Sequence, residues 1–134
     1  MNDTDLIYAS LEACAEHLGD ITPEIFARFF ARDVAAGDLM RHTDPHIQGR
    51  MFESMVELFL HDHHFEPGGY LEWELENHID AYTATPTMYA SLLEATMEVV
   101  AGALGAEWDE RYEAAWRARC ERIMHGVHQH YRPS

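Results

Sequence analysis

Apolar residues recur along the chain at three- and four-residue intervals. No stretch alternates with period two, and no Asn-Gly or Asp-Gly hairpin turn occurs, so the pattern predicts helices and no sheet. The first predicted helix runs from about Asp3 to Leu18, with Leu6, Ile7, Leu11, Cys14, Ala15 and Leu18 on one stripe and Gly19 as its stop. In the second, Thr22 can cap, Pro23 suits the first helical position and Glu24 suits the positive end. Its apolar face is Ile25, Phe26, Phe29, Phe30 and Val34, and Gly37 ends it. A short segment, Asp38 to His42, leads to a third start at Asp44-Pro45, and that helix carries Ile47, Met51, Phe52, Met55, Leu58 and Phe59.

Pro and Gly mark residues 61–69 as a loop. A helix from about Tyr70 to Tyr82 follows, and Thr83-Ala84-Thr85 breaks it. Thr85-Pro86 opens the next helix, which continues to Leu104, where Gly105 stops it. The last runs from about Trp108 to His130, with Trp108, Tyr112, Trp116, Ile123 and Val127 facing inward. The expected fold class is all-α, with six main helices and a candidate short seventh near residue 40.

Length and composition narrow the classes. At 134 residues and 47% hydrophobic, the chain suits a single domain spanning 1–134, with enough apolar surface for a core. Nine basic against 24 acidic residues leave a net charge of −15, which argues against nucleic acid or an anionic membrane as partner. Two cysteines, Cys14 and Cys120, make no disulfide framework and read as small buried hydrophobes. No apolar run approaches a membrane span, and the N-terminus, Met1-Asn2-Asp3-Thr4-Asp5, lacks the basic region of a signal peptide. The expected location is cytoplasmic.

Ten histidines bring in metal chemistry. His61, His63 and His64 lie in the predicted loop, and His125, His128 and His130 near the end of the last helix. No cysteine or carboxylate completes a recognisable ligand spacing around them, so they read as surface residues. His78 differs. Leu71, Leu75, His78 and Tyr82 follow i, i+4, i+7, i+11, which sets His78 on the inward stripe of a helix otherwise rich in Glu72, Glu74 and Glu76. An inward histidine is either a satisfied core residue or a ligand. Burial favours its neutral form, whose lone pair can bind a metal.

Four features surround His78. After a short break comes Pro86-Thr87-Met88-Tyr89; Leu92-Leu93-Glu94-Ala95 follows along the same helix; Ala115-Trp116 lies in the last helix; Arg28-Phe29-Phe30 lies in the second. In order and spacing these resemble the globin family, in particular the single-domain and flavohaemoglobin-type bacterial globins, over roughly residues 5 to 127. The resemblance implies a globin-like fold of six to seven helices packed at steep angles around a haem pocket. Haem b (iron protoporphyrin IX) would lie between the helix over 44–60 and the His78 helix, with His78 as the fifth iron ligand. The implied pocket residues are Phe30, Ile47, Gln48, Met51, Met55, Leu75, Tyr82, Tyr89 and Leu93.

The distal side departs from the family. Phe30 stands where many bacterial globins carry a hydrogen-bonding tyrosine, and Leu39-Met40-Arg41-His42-Thr43 lacks the phenylalanine that wedges the haem edge. The next distal position aligns with Ile47 or with Gln48; Met51 would lie over the iron, and His46 is a candidate sixth ligand. A donor-poor pocket favours NO or CO over O2. The implied function is binding, sensing or redox detoxification of a diatomic gas, and turnover would need a separate reductase. Two other classes compete: a haem-free globin-like sensor or interaction module with a structural His78, and a di-iron bundle using His63, His64, Glu66, Glu74 and His78. The second lacks the paired Glu-x-x-His motifs of such sites.

Overall fold

A computed structural model describes residues 1–61, 69–75 and 85–130. Every regular element among these residues is helical: α1 (Asp3–Leu18), α2 (Thr22–Arg32), α3 (Val34–Leu39), α4 (Pro45–Leu60), α5 (Tyr70–Leu75), α6 (Pro86–Leu104) and α7 (Glu110–His130), with a 3-10 turn at Gly105–Glu107. The all-α expectation holds, and none of these helices is long and apolar enough to cross a membrane.

Local chemistry sets the helix ends. Asn2 and Asp5 cap α1 reciprocally: the Asp5 amide donates to the Asn2 side chain at 2.9 Å and the Asn2 amide to the Asp5 carboxylate at 3.2 Å. Gly19, at φ +70°, closes the helix with its amide on the Ala15 carbonyl. Asp44 accepts from the Ile47 amide at 2.8 Å and Thr85 from the Met88 amide at 3.3 Å, each just before the proline that opens its helix.

Three helix starts differ from the sequence expectation. Thr22 does not cap α2; it is the buried first helical residue, and its amide donates to the Asp20 carboxylate at 3.0 Å. That bond, the first cause of the effect, holds the Asp20 pKa below its ordinary value. Nor does the second helix run to Gly37. Asp33 closes α2 with its amide on the Phe29 carbonyl, then opens α3 by accepting from the Ala36 amide at 3.0 Å. The chain turns there, so Val34 leaves the expected apolar face and is 72% exposed. On α1 the buried stripe is Leu6, Ile7, Ser10 and Cys14, while Ala15 and Leu18 face outward. The last helix starts at Glu110, two residues later than expected, because Asp109 accepts from the Arg111 amide at 2.9 Å.

The buried side chains form one apolar cluster. α1 packs on α4, α6 and α7; α2 packs on α3, α4 and α6; α6 packs on α7; and α5 packs on α7. At the centre the Phe59 and Trp116 rings meet at 4.8 Å between centroids, close to edge-on, and both are fully buried. Trp116, Ile123 and Val127 face the core as expected, whereas Trp108 and Tyr112 are half-buried and stacked on each other. α5 comes close to α7 where Gly126 meets Leu71, since a Cβ at Gly126 would fall on the Leu71 side chain. Residues 76–82, the rest of the expected His78 helix, lie outside the described residues.

Candidate functional site

The expected pocket draws on four elements, and the described residues divide into three groups. Met55, Leu75, Tyr89 and Leu93 are buried in the common apolar cluster. Phe30 and Met51 are half-buried and pack against it. Together these side chains bring α2, α4, α5 and α6 to one apolar body. Ile47 does not join it; it faces outward at 41% exposure, and so does the neighbouring His46. His78 and Tyr82 lie outside the described residues, as do His63, His64 and Glu66 of the di-iron alternative.

The distal candidates have local partners. Gln48 is half-buried, and its amide nitrogen donates to the Thr43 hydroxyl at 3.2 Å, which in turn donates to the Met40 carbonyl at 2.7 Å. This chain of bonds ties the Gln48 amide to the corner before α4. Phe30 stacks on Phe29 at 5.5 Å between centroids and leans on Phe26 at 5.8 Å. On its other side lies α3, where a Cβ at Gly37 would sit 3.5 Å from the Phe30 Cβ. A hydrogen-bond donor is therefore absent at position 30, and one of the two amide N–H groups at position 48 is engaged.

Among the described residues no three His, Cys, Asp or Glu side chains are grouped to hold a metal ion. His125 and His128 are exposed on the last turns of α7. Attachment through a single histidine needs no such group, so this finding bears on multi-ligand sites only.

Three features escaped the sequence analysis. One is Arg119, only 4% exposed, which donates to the Leu58 and Phe59 carbonyls at the end of α4 and to the Thr4 hydroxyl at 2.8 Å. It sits in step with Trp116, Ile123 and Val127, so a charged residue on an apolar stripe was its visible signal. The second is an open groove of ≈ 830 Å³ between α1 and the end of α4, edged by Asp5, Glu12 and Glu16 beside Tyr8 and Leu60. The hydrogen bond to Glu12 pushes the Tyr8 phenol pKa up, because it favours the protonated form. The third is a small cavity of ≈ 160 Å³ between α6 and α7, lined by the sulfur-bearing Met97, Cys120 and Met124. Comparison with family models, with curated proteins and with solved structures finds nothing that matches this chain.

Proposed function

We propose that the chain is a globin-like protein that holds one haem b through His78 and takes a diatomic gas, O2, NO or CO, as its ligand. The burial of Leu71 and Leu75 on α5 carries this reading. Leu75 is only 2% exposed, and His78 follows it by three residues and Leu71 by seven, the interval at which a helix returns to the same face. The inward stripe on which the expectation rests is thus buried against α7 up to the last described residue before His78.

The apolar character of the expected pocket residues supports this reading. A haem held by one histidine asks the rest of its pocket for depth and apolarity. Met55, Leu75 and Leu93 supply buried apolar wall, and Met51 and Phe30 supply half-buried apolar edge. When bound, the haem supplies an iron with an open coordination position for the gas. His78 would hold it with a neutral ring, and the acceptor of its second N–H would fix the tautomer. Phe30 offers no donor to a bound ligand, and one of the two N–H groups of the Gln48 amide is given to Thr43. The pocket therefore favours NO or CO and releases O2 quickly. Redox turnover would draw electrons from a separate reductase. Within this reading the whole chain is one domain of cytoplasmic type.

One observation favours a second reading, a haem-free sensor or interaction module. Phe30 is enclosed by Phe26, Phe29 and α3, and Ile47 faces outward, so two expected pocket residues are spent elsewhere. An absorption spectrum decides between them. With haem supplied, the wild type should give a strong Soret band and a five-coordinate ferrous spectrum, and His78→Ala should lose the latter. A mutant spectrum identical to wild type overturns the ligand assignment. A wild type that stays colourless overturns haem binding and leaves the second reading.

A further inference from the structure

The α6–α7 cavity gathers three sulfur atoms of two kinds. Cys120 and Met124 stand one turn apart on α7, and Met97 reaches the same cavity from α6. A thiol with two thioethers is an unusual lining in a chain with only two cysteines. Thioethers are neutral, soft and polarizable, and methionine's three rotatable bonds let its sulfur swing toward a guest. Such donors discriminate sharply among metals. Calcium and magnesium take oxygen ligands, and zinc takes thiolate, imidazole and carboxylate. A set of one thiolate and two thioethers suits a soft monovalent ion.

Charge around the cavity points the same way. Arg117 and three glutamates, Glu94, Glu113 and Glu121, border it or its rim. The Arg117 Nε donates to Glu113 at 2.7 Å, and its Nη1 lies 3.6 Å from Glu94, so its charge is shared between two carboxylates. The net local field is negative. Burial, then Glu94, pushes the Cys120 thiol up to about 12, against the pull of Arg117 and Arg119. Of these two causes burial disfavours any lone charge, whereas the Glu94 carboxylate, which also opposes a bare thiolate, favours a cation beside the sulfur. Together the two causes keep Cys120 protonated and a poor nucleophile near neutrality, which argues against a catalytic role for it. Cys14 is no rival donor: it is buried away from solvent with its Sγ 3.9 Å from the Val100 carbonyl.

We infer that this cavity is a binding site for a soft monovalent cation of the copper(I) class, ligated by the Cys120 sulfur and the Met97 and Met124 thioethers. As the sulfur–metal bond forms, the Cys120 proton passes to solvent, so charge balances without a redox partner. The site is independent of the haem proposal and involves none of its residues except the cavity-lining Leu93.

The test is anaerobic competition of the full chain against a chromophoric copper(I) chelator, repeated with silver(I), which cannot change oxidation state under these conditions. Wild type and Cys14→Ala should each take up a single equivalent and develop ultraviolet thiolate-to-metal absorption. Cys120→Ser should lose that absorption. The double variant Met97→Leu/Met124→Leu keeps core volume and so keeps the fold. Its affinity should fall by about tenfold per thioether, the scale on which metal sites respond to a lost partner. No uptake by the wild type, an unchanged band in Cys120→Ser, or equal affinity in the double leucine variant would each overturn the assignment.

Discussion

The Trp116 indole N–H donates to the Ser10 hydroxyl at 2.9 Å, and both residues are completely buried. Ser10 passes the bond on, donating to the Ile7 carbonyl at 2.7 Å. One hydroxyl thereby satisfies the only polar atom of the largest core side chain and pins α7 to α1. Ser10→Ala leaves the indole donor buried and unpaired, which costs roughly 1–3 kcal/mol. Urea unfolding should place Ser10→Ala well below wild type. Equal midpoints would mean that the indole finds another acceptor.

Arg119 closes the end of α4 from within the core. Its guanidinium gives donors to the Leu58 and Phe59 carbonyls and to Thr4, so α7, α4 and α1 meet at one cation. The last carbonyls of a helix lack intrahelical partners and carry its negative end. Arg119→Ala removes both the donors and the charge, and the expected loss is about 3 kcal/mol or more. Arg119→Met keeps most of the stem packing, so it should recover only part of that loss, while Thr4→Ala alone should cost less than about 1.5 kcal/mol. If Arg119→Met matches wild type in denaturant unfolding, packing rather than hydrogen bonding is what this residue contributes.

Much of the helix plan was legible in the sequence for one physical reason: two helices open on a proline that directly follows a side-chain cap. Asp44-Pro45 and Thr85-Pro86 mark α4 and α6 to the residue. The misreadings share another cause. Gly37 looked like a stop, yet Asp33 both ends α2 and caps α3, and a double role of that kind depends on a backbone turn that apolar spacing does not encode. A stripe marks a helix face but not how far a neighbour covers it, so Leu18, Val34 and Ile47 were read as inward and are exposed. Of the candidate site, the burial of Met55 and Leu75 was legible from periodicity, while Tyr89 and Leu93, buried beside them, were named through the family resemblance. The engagement of Gln48 by Thr43 was not, because it depends on the fold of the corner before α4.

Gly126 controls how closely α5 lies on α7. A Cβ there would displace the Leu71 side chain, whose free end can rotate aside at modest cost. Alanine also suits a helix interior better than glycine by about 1 kcal/mol. The two effects oppose each other in Gly126→Ala, so global stability should move by less than about 1 kcal/mol. The seating of α5 should suffer selectively. Amide hydrogen exchange over Tyr70–Leu75 should quicken while exchange in α6 stays at the wild-type rate. Uniform acceleration through both helices would mean that α5 is not a separable unit. If His78 holds haem, the same variant should lose haem faster than wild type.

The two thiols predict how stability changes in alkali. Burial pushes Cys14 from 9.0 to about 11, and burial followed by Glu94 pushes Cys120 from 9.0 to about 12. Unfolded, each thiol ionises near its ordinary value; folded, it holds its proton to higher pH. The folded chain therefore binds more protons above that value, and rising pH pulls the equilibrium toward the unfolded state. Their contribution is complete below about pH 9. It is lost progressively above that, toward about 11 for Cys14 and about 12 for Cys120, by at most about 1.4 kcal/mol per pH unit for each thiol. Cys120→Ala should lower stability at neutral pH by leaving a small void, yet its urea midpoint should fall less steeply with alkali than that of wild type. Tyrosine ionisation is common to both proteins and cancels in the difference. Parallel curves through the alkaline range would mean that the Cys120 thiol ionises as easily in the folded chain as in the unfolded one, and that neither burial nor Glu94 holds its proton.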